Sequence, residues 1–114
     1  MLTTILAKPA YPAYWQHVRN VRRANLIAYW PLGETSGSIA ADLSGNEQHG
    51  TYTGVTLAQP GIGDGRSAPF FDGANDFVNV LSPGLASAFN GAAGTIALWF
   101  HVNSPASWNQ GQRI

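Results

Sequence analysis

The sequence contains no cysteine, few charged residues and no long apolar run, and each absence excludes a class of protein. Without cysteine there is no disulfide framework, no zinc knuckle and no thiol nucleophile. Charged residues make up only 11% of the chain and the formal net charge is zero, so no global field steers the chain to nucleic acid. No apolar stretch approaches the ~18 residues of a membrane-spanning helix. We therefore expect neither nucleic acid nor a membrane among its partners.

The N-terminal residues make a poor export signal. The apolar part of Met1–Ala7 is short, and Lys8-Pro9 interrupts it. We therefore expect the chain to be made in the cytoplasm and not to be exported by that route.

Glycine and proline are plentiful, and they indicate β structure. Thirteen Gly and seven Pro within 114 residues predict many turns in a single domain. Leu26–Trp30 is almost continuously apolar and predicts a strand buried on both faces, and Thr95–Val102 predicts the longest strand. We expect an all-β fold, an antiparallel β-sandwich or jelly roll. The remaining extended pieces are predicted at Ile39–Ala41, Gly50–Thr53, Val55–Leu57, Ala68–Phe71 and Asp76–Leu81.

The stretch Asp72–Asn75 predicts a turn. An Asp-Gly pair between apolar runs is a hairpin signal, so we expect Ala68–Phe71 and Asp76–Leu81 to form a hairpin with a slightly long loop. Asp72 and Asp76 flank the turn and are expected to close it with Asx-type hydrogen bonds. A single helical turn is predicted over Leu85–Phe89.

Residues 1–25 differ from the rest of the chain and are predicted to form an N-terminal arm. They hold four of the six basic residues and none of the acidic ones. An apolar i, i+4, i+7 face predicts a short helix over Ala13–Ala24. The arm either packs on its own domain or docks on another protein chain, and its arginines are too few for strong phosphate-driven binding. The residues assigned to docking on a partner chain are Tyr11, Tyr14, Trp15, Arg19, Arg22 and Arg23.

Five short motifs follow one another between residues 26 and 102. They are L-I-A-Y-W-P-L-G-E from Leu26, D-L-S-G-N from Asp42, H-G-T from His49, F-D-G-A-N-D-F-V from Phe71 and T-I-A-L-W from Thr95. In order and spacing they resemble the laminin-G-like modules of the concanavalin A-like lectin/glucanase superfamily, of the kind found in phage and bacterial surface proteins. The arm lies outside the resemblance.

The resemblance implies a two-sheet jelly roll over residues 26–114. Such modules carry roughly twice as many strands as the sequence predicts here, and a half sandwich would expose sheet edges and an apolar face. We therefore expect residues 26–114 to form an incomplete sandwich. Either the chain is a fragment of a longer one, or other chains of an oligomer or larger assembly supply the missing strands.

The resemblance also implies a calcium site, because members of this superfamily often bind Ca²⁺. Calcium takes roughly six to eight oxygen ligands. The best local candidate is the loop from Asp42 to His49, in which Asp42 would supply a carboxylate, and Asn46 and His49 would supply backbone or side-chain oxygens. The alternative is structural: Asp42 caps a turn, and Gly45-Asn46 adopts positive φ.

Many members of the superfamily bind carbohydrate, and β-sandwiches do so by stacking exposed aromatic rings on sugar faces. Trp108, with Asn109 and Gln110 beside it in a polar loop, is the predicted ligand-binding group. The alternative is that Trp108 covers a sheet edge. Three other aromatic residues lie in predicted strands and are expected in the core: Tyr29, Trp30 and Trp99.

No catalytic constellation is present in the sequence, so we expect a protein that is not an enzyme. Glycanases of this fold need two carboxylates close together as acid and nucleophile, and no predicted strand alternates Glu with Asp. The three histidines have no Ser or Asp partner at a recognisable spacing.

Two functions remain open. The first is a non-catalytic module that recognises a carbohydrate or another surface ligand and is displayed on a virion or a cell-surface particle. The second is a structural decoration or tail-assembly protein of a phage, in which the arm docks on a partner and no glycan is bound. The weak export signal and the lack of cysteine favour a particle assembled inside a cell over a secreted animal protein.

Overall fold

A computed structural model describes residues 14–21 and 23–103, and describes only the backbone of Tyr14 and Trp15. Most of the regular structure is strand in antiparallel sheets, with few helices, so the prediction of a β-rich fold is confirmed. No helix in these residues is long and apolar enough to span a membrane. The elements are α1 (Tyr14–Asn20), a 3-10 turn (Arg23–Asn25), β1 (Ile39–Ala40), β2 (Gly50–Thr53), β3 (Thr56–Pro60), β4 (Ser67–Phe70), β5 (Phe77–Asn79) and α2 (Pro83–Ala88).

The strands form two antiparallel sheets, one with the order β1-β2-β5 and one made of β3 and β4. In the first sheet Tyr52 lies opposite Val78. In the second, Thr56 lies opposite Phe70, and the register shifts between Thr56 and Gln59, where Ala58 has a left-handed φ of 61°. The hairpin predicted across the Asp-Gly turn is wrong, because β4 pairs with β3 while β5 pairs with β2.

One corner connects the two sheets, and the register explains it. Thr53 lies opposite Phe77, and Thr56 lies opposite Phe70. Between these two pairs, residues 54–55 connect β2 to β3, whereas the longer stretch 71–76 connects β4 to β5. The connection 71–76 is longer than the connection 54–55, and its additional residues form the Asp72–Asn75 turn. The turn therefore carries the chain from one sheet to the other instead of reversing it within a sheet.

Two predicted strands belong to neither sheet. Leu26–Trp30 is half-buried without a ladder of strand hydrogen bonds. Residues 95–102 have no regular secondary structure, and Ile96 and Trp99 are 78% and 73% exposed. The predictions that both stretches are strands, and that Trp99 is a core residue, are wrong for the described part of the chain. A strand requires a neighbouring strand to pair with, and within residues 14–21 and 23–103 none lies beside either stretch.

The two helices are short, as expected. α1 ends at Asn20, earlier than the predicted end at Ala24. α2 begins directly after Ser82, whose hydroxyl accepts a hydrogen bond from the backbone N–H of Leu85 at 3.0 Å. Pro83 lies at the first helical position, where its missing N–H costs nothing. The helical turn predicted over Leu85–Phe89 is thereby confirmed, with a boundary two residues earlier.

The buried part of the described chain is small and partly polar. Ala40 and Tyr52 are the buried apolar side chains, and Asp42 and Ser44 are buried as well, each 6% exposed. Buried polar groups are costly unless they are hydrogen-bonded. The hydrogen-bond donors to the Asp42 carboxylate are therefore needed to stabilise the buried part of the fold.

Candidate functional site

The carboxylate of Asp42 is the centre of the best-defined polar network in the described part of the molecule. Its Oδ1 accepts hydrogen bonds from the backbone N–H groups of Tyr29 and Ser44, both at 2.8 Å. Its Oδ2 accepts from the Ser44 hydroxyl at 2.7 Å and from the backbone N–H of Gln48 at 2.9 Å. An ionised carboxylate offers about four acceptor positions, so the four donors use its whole capacity.

The surroundings of Asp42 favour its charged form. Burial alone would raise the pKa of Asp42, but hydrogen bonds from Tyr29, Ser44 and Gln48 outweigh burial and lower the pKa below its usual range. The group is therefore ionised at neutral pH, and N–H and O–H dipoles stabilise its charge.

The segment before the loop is attached through these donors. The backbone N–H of Leu43 also donates to the carbonyl of Tyr29 at 2.8 Å. The side-chain amide of Asn46 donates to the carbonyls of Leu26 and Ile27, both at 2.9 Å. Leu26–Trp30 is thus held against the loop largely by side chains. This explains why an apolar stretch with strand composition is half-buried without strand pairing.

Asp42, Asn46 and His49, the predicted metal ligands, all belong to this network. The imidazole Nδ1 of His49 accepts a hydrogen bond from the backbone N–H of Asp42 at 3.0 Å. The structural alternative, in which Asp42 caps a turn, is also present, because Ser44 lies two residues after it. Gly45 has a φ of 97°, but the next residue with positive φ is Glu47, at 57°, and not Asn46 as expected.

The arrangement of these three residues does not fit a calcium ion. Calcium needs oxygen lone pairs directed at a common point, whereas the lone pairs of Asp42 face hydrogen-bond donors and the amide group of Asn46 faces carbonyls. Among residues 14–21 and 23–103, no cluster of three or more His, Cys, Asp or Glu is suited to a metal. Calcium binding by Asp42, Asn46 and His49 stays a prediction, and it would require this network to rearrange.

A second carboxylate, Glu34, fixes the segment that leads into the first sheet. Its Oε1 accepts from the backbone N–H of Ala41 at 3.0 Å, and its Oε2 accepts from the Tyr52 hydroxyl at 2.6 Å. Burial and the hydrogen bond to the negatively charged Glu34 raise the pKa of Tyr52 above its usual range. Both carboxylates therefore stabilise the fold through hydrogen bonds, and neither is paired with the other as a glycanase would require.

Gln48 links the loop to two other parts of the chain, at Trp30 and Ser82, and no sequence pattern singles it out. Its backbone carbonyl accepts from the indole N–H of Trp30 at 2.6 Å, and its side-chain amide donates to the carbonyl of Asn46 at 3.0 Å. Its Oε1 accepts a hydrogen bond from the hydroxyl of Ser82, the residue that caps α2. Trp30, expected in the core, is half-buried with its polar edge satisfied.

The corner between the sheets presents aromatic rings to solvent. Phe70, Phe71 and Phe77, which we call the aromatic corner, are 41%, 41% and 51% exposed. The turn between them is closed by the backbone N–H of Asp72, which donates to Asp76 Oδ2 at 2.9 Å. Asp72 Oδ1 accepts from the backbone N–H two residues later at 2.8 Å. The predicted Asx-type bonds are confirmed, and they hold the polar turn between exposed aromatic side chains.

The other predicted site residues lie either outside the described part of the chain or in its N-terminal helical segment. Trp108, Asn109, Gln110, Tyr11 and Arg22 lie outside the described residues. The remaining arm residues lie in or just after α1: Tyr14 and Trp15 at its start, Arg19 half-buried within it, and Arg23 exposed in the 3-10 turn. Docking by the arm stays a prediction.

Comparisons of the chain with protein-family models, with curated proteins and with solved structures found no match. The arguments about function consequently rest on the residues and geometry of this chain alone. Two surfaces are relevant to them: the aromatic corner and the exposed stretch 95–102.

Proposed function

We propose that this chain is a non-catalytic, laminin-G-like β-sandwich module that recognises a carbohydrate or another surface ligand, displayed on a particle such as a virion. The observation that supports it best is the aromatic corner. Phe71 and Phe77 stand at the two ends of a hydrogen-bonded polar turn, and both side chains are more than two-fifths exposed.

The chemistry of the corner suits a sugar. The apolar faces of a pyranose ring stack on aromatic rings, and its hydroxyls need a few well-placed polar groups nearby. Asp72 and Asn75 supply a carboxylate and an amide in the same turn, and both are exposed. The turn is short and closed by its own hydrogen bonds, so its backbone and the Asp72 carboxylate are held in place before a ligand arrives.

The hydrogen-bonded carboxylates support binding without catalysis. A retaining or inverting glycanase requires an acid and a second carboxylate on either side of the scissile bond. Asp42 and Glu34 instead accept backbone and side-chain hydrogen bonds within the protein. We therefore propose a ligand that is bound and released unchanged.

The test is a titration of the purified chain with a panel of oligosaccharides, followed by isothermal calorimetry. For a ligand that binds, we expect Phe71→Ala and Phe77→Ala each to weaken affinity by about tenfold, equivalent to about 1.4 kcal/mol. Ile62→Ala is the matched control. Its side chain is 63% exposed in the loop between β3 and β4, so it reports the loss of surface hydrophobicity away from the corner.

Two further arms separate the sites that the sequence predicts. Trp108→Ala tests the polar loop predicted to bind ligand, and added chelator tests the contribution of calcium. If affinity depends on Trp108 and not on the aromatic corner, the carbohydrate-binding function is supported, but the binding site is the loop of Trp108. If no oligosaccharide binds at all, the carbohydrate proposal fails.

A second function is favoured by a different observation, the exposed apolar stretch 95–102. Ile96, Leu98, Trp99 and Phe100 are 78%, 61%, 73% and 57% exposed. Contiguous apolar surface of this kind typically marks an interaction site. It supports the alternative in which the chain is a structural decoration or tail-assembly protein whose module is completed by other strands and whose arm docks on a partner.

The two functions separate in one experiment on the particle that carries the chain. If the assembly function is right, deleting residues 1–25 should abolish incorporation of the chain, and the purified chain should bind no glycan. If incorporation survives the deletion and a glycan binds, the recognition module is the better description.

A further inference from the structure

Asn90-Gly91 is the one Asn-Gly pair in the sequence, and the structure exposes it. The pair follows α2 and precedes the stretch 95–102, outside any helix or strand. Gly91 has a φ of 74°, a left-handed conformation that favours glycine. No heavy atom of the described residues outside its immediate chain neighbours lies within 4 Å of a Cβ built at this glycine. The space beside Gly91 is therefore open to solvent.

The side-chain oxygen of Asn90 has a backbone hydrogen-bond donor that can assist attack on its own amide carbon. Its Oδ1 accepts a hydrogen bond from the backbone N–H of Ala92 at 2.9 Å. Such a donor stabilises negative charge that develops on the carbonyl oxygen when a nucleophile adds to the carbon. The backbone nitrogen of Gly91 is the nearest nucleophile along the chain, and its N–H makes no hydrogen bond to the backbone of residues 14–21 or 23–103.

We infer that Asn90 is a site of spontaneous, water-dependent deamidation that converts this uncharged loop into an acidic one. The Gly91 nitrogen forms a bond to Cγ of Asn90, and the bond from Cγ to Nδ2 breaks. Nδ2 takes the proton of the Gly91 amide and leaves as ammonia. Water then opens the resulting succinimide at either carbonyl, which gives aspartate or isoaspartate at position 90.

A matched asparagine shows why the reaction needs the glycine that follows Asn90. Asn79 Oδ1 also accepts a hydrogen bond from the backbone N–H two residues later, at 3.1 Å. However, Asn79 lies in β5 opposite Thr51, so its backbone is held in a sheet. The residue after it is Val80, whose β-branched side chain shields the Val80 backbone nitrogen from the Asn79 side chain. The same hydrogen bond is therefore present in a setting that blocks the attack.

The new charge would matter because of where it appears. Residues 77–112 contain no Asp, Glu, Lys or Arg. Deamidation places the first negative charge of this stretch close in sequence to the apolar side chains of residues 95–102, where it opposes association of apolar surfaces. This consequence depends on neither proposed function.

The experiment incubates the purified chain at mildly alkaline pH in heavy-oxygen water and maps the label by peptide mass spectrometry. We expect one heavy oxygen at residue 90, an acidic band on isoelectric focusing, and no label at Asn79. Loss of the label is expected in Gly91→Ala, which crowds the attacking nitrogen, and in Asn90→Gln, which cannot close the five-membered ring. Circular dichroism checks that both variants keep the fold.

Three results would overturn the inference. One is the absence of label at residue 90 in the unmodified sequence. The second is label at Asn79 accumulating as fast as at Asn90, which would remove the role of the following glycine. The third is undiminished labelling in a folded Gly91→Ala chain, which would mean that access to the backbone nitrogen of residue 91 does not limit the reaction.

Discussion

Replacing Asp42 with asparagine tests the network that holds Leu26–Trp30 against the loop. The amide oxygen of the new side chain can still accept from Tyr29 and Ser44, but its NH2 group would face the Gln48 backbone N–H, a donor. The Ser44 hydroxyl can rotate and accept instead of donate. The half-buried Gln48 N–H is thus left unpaired, and charge-assisted hydrogen bonds are lost, so Asp42→Asn should reduce the free energy of unfolding by about 2–4 kcal/mol.

The assay is urea denaturation at neutral pH, with Asp72→Asn as the control. Asp72 is exposed, and both of its side-chain hydrogen bonds, from Ala74 and Asn75, go to Oδ1, an atom that asparagine keeps. The control should therefore change the free energy of unfolding by less than about 0.5 kcal/mol. A destabilisation of Asp42→Asn as small as that of the control would refute the view that the Asp42 carboxylate organises this region.

The pH dependence provides a second measure of the same group. The pKa of Asp42 is lower in the folded chain than in the unfolded chain. Its contribution is therefore fully present above about pH 4 and is lost as the pH falls through the folded-state pKa. Asp42→Asn should flatten this part of the acid-denaturation curve, and an unchanged acid limb would contradict the assignment.

Three more substitutions examine the surrounding structure by urea denaturation. Tyr52→Phe removes the hydroxyl bound to Glu34 and should reduce the free energy of unfolding by about 1–2 kcal/mol at neutral pH. Because folding raises the pKa of Tyr52, the native chain should lose stability above about pH 10. The variant should lack that loss. Gly50→Ala places a methyl group 2.9 Å from Val80 Cγ1 and should cost about 1–3 kcal/mol; an effect below about 0.5 kcal/mol would show that the site can relax. Ser82→Ala removes the cap of α2 and should cost about 1 kcal/mol, whereas an unchanged midpoint would mean that the cap is dispensable.

Local sequence signals predict the elements well where local chemistry decides them. The strand at Gly50–Thr53 and the helical turn over Leu85–Phe89 depend on a few neighbouring residues, and both elements are found in the structure. The pairing of strands is decided over longer distances. The Asp-Gly signal indicates a turn between two strands, and from a turn alone we expect the two strands to pair. The signal contains no information about which strand lies beside each of them. The structure instead pairs β5 with β2, so the same turn spans a corner.

Apolar composition is a poorer guide to burial. Leu26–Trp30 and residues 95–102 both predict strands, yet they differ in the structure. The first is half-buried, because Asp42 and Asn46 supply hydrogen-bonding groups that hold its backbone. The second is exposed, and no strand of the described residues pairs with it. Composition indicates that a segment can be buried, whereas the position of its partners decides whether it is.

The loop after Asp42 shows why a ligand set is harder to predict than a turn. An aspartate, an asparagine and a histidine close together in sequence are compatible with a cation, and also with a loop that satisfies its own backbone. The two outcomes differ only in what faces the carboxylate. Here the facing groups are N–H donors of Tyr29 and Gln48, and Tyr29 belongs to a segment thirteen residues earlier in the chain. No pattern within the loop contains that information, so the loop chemistry depends on a contact that only the fold supplies.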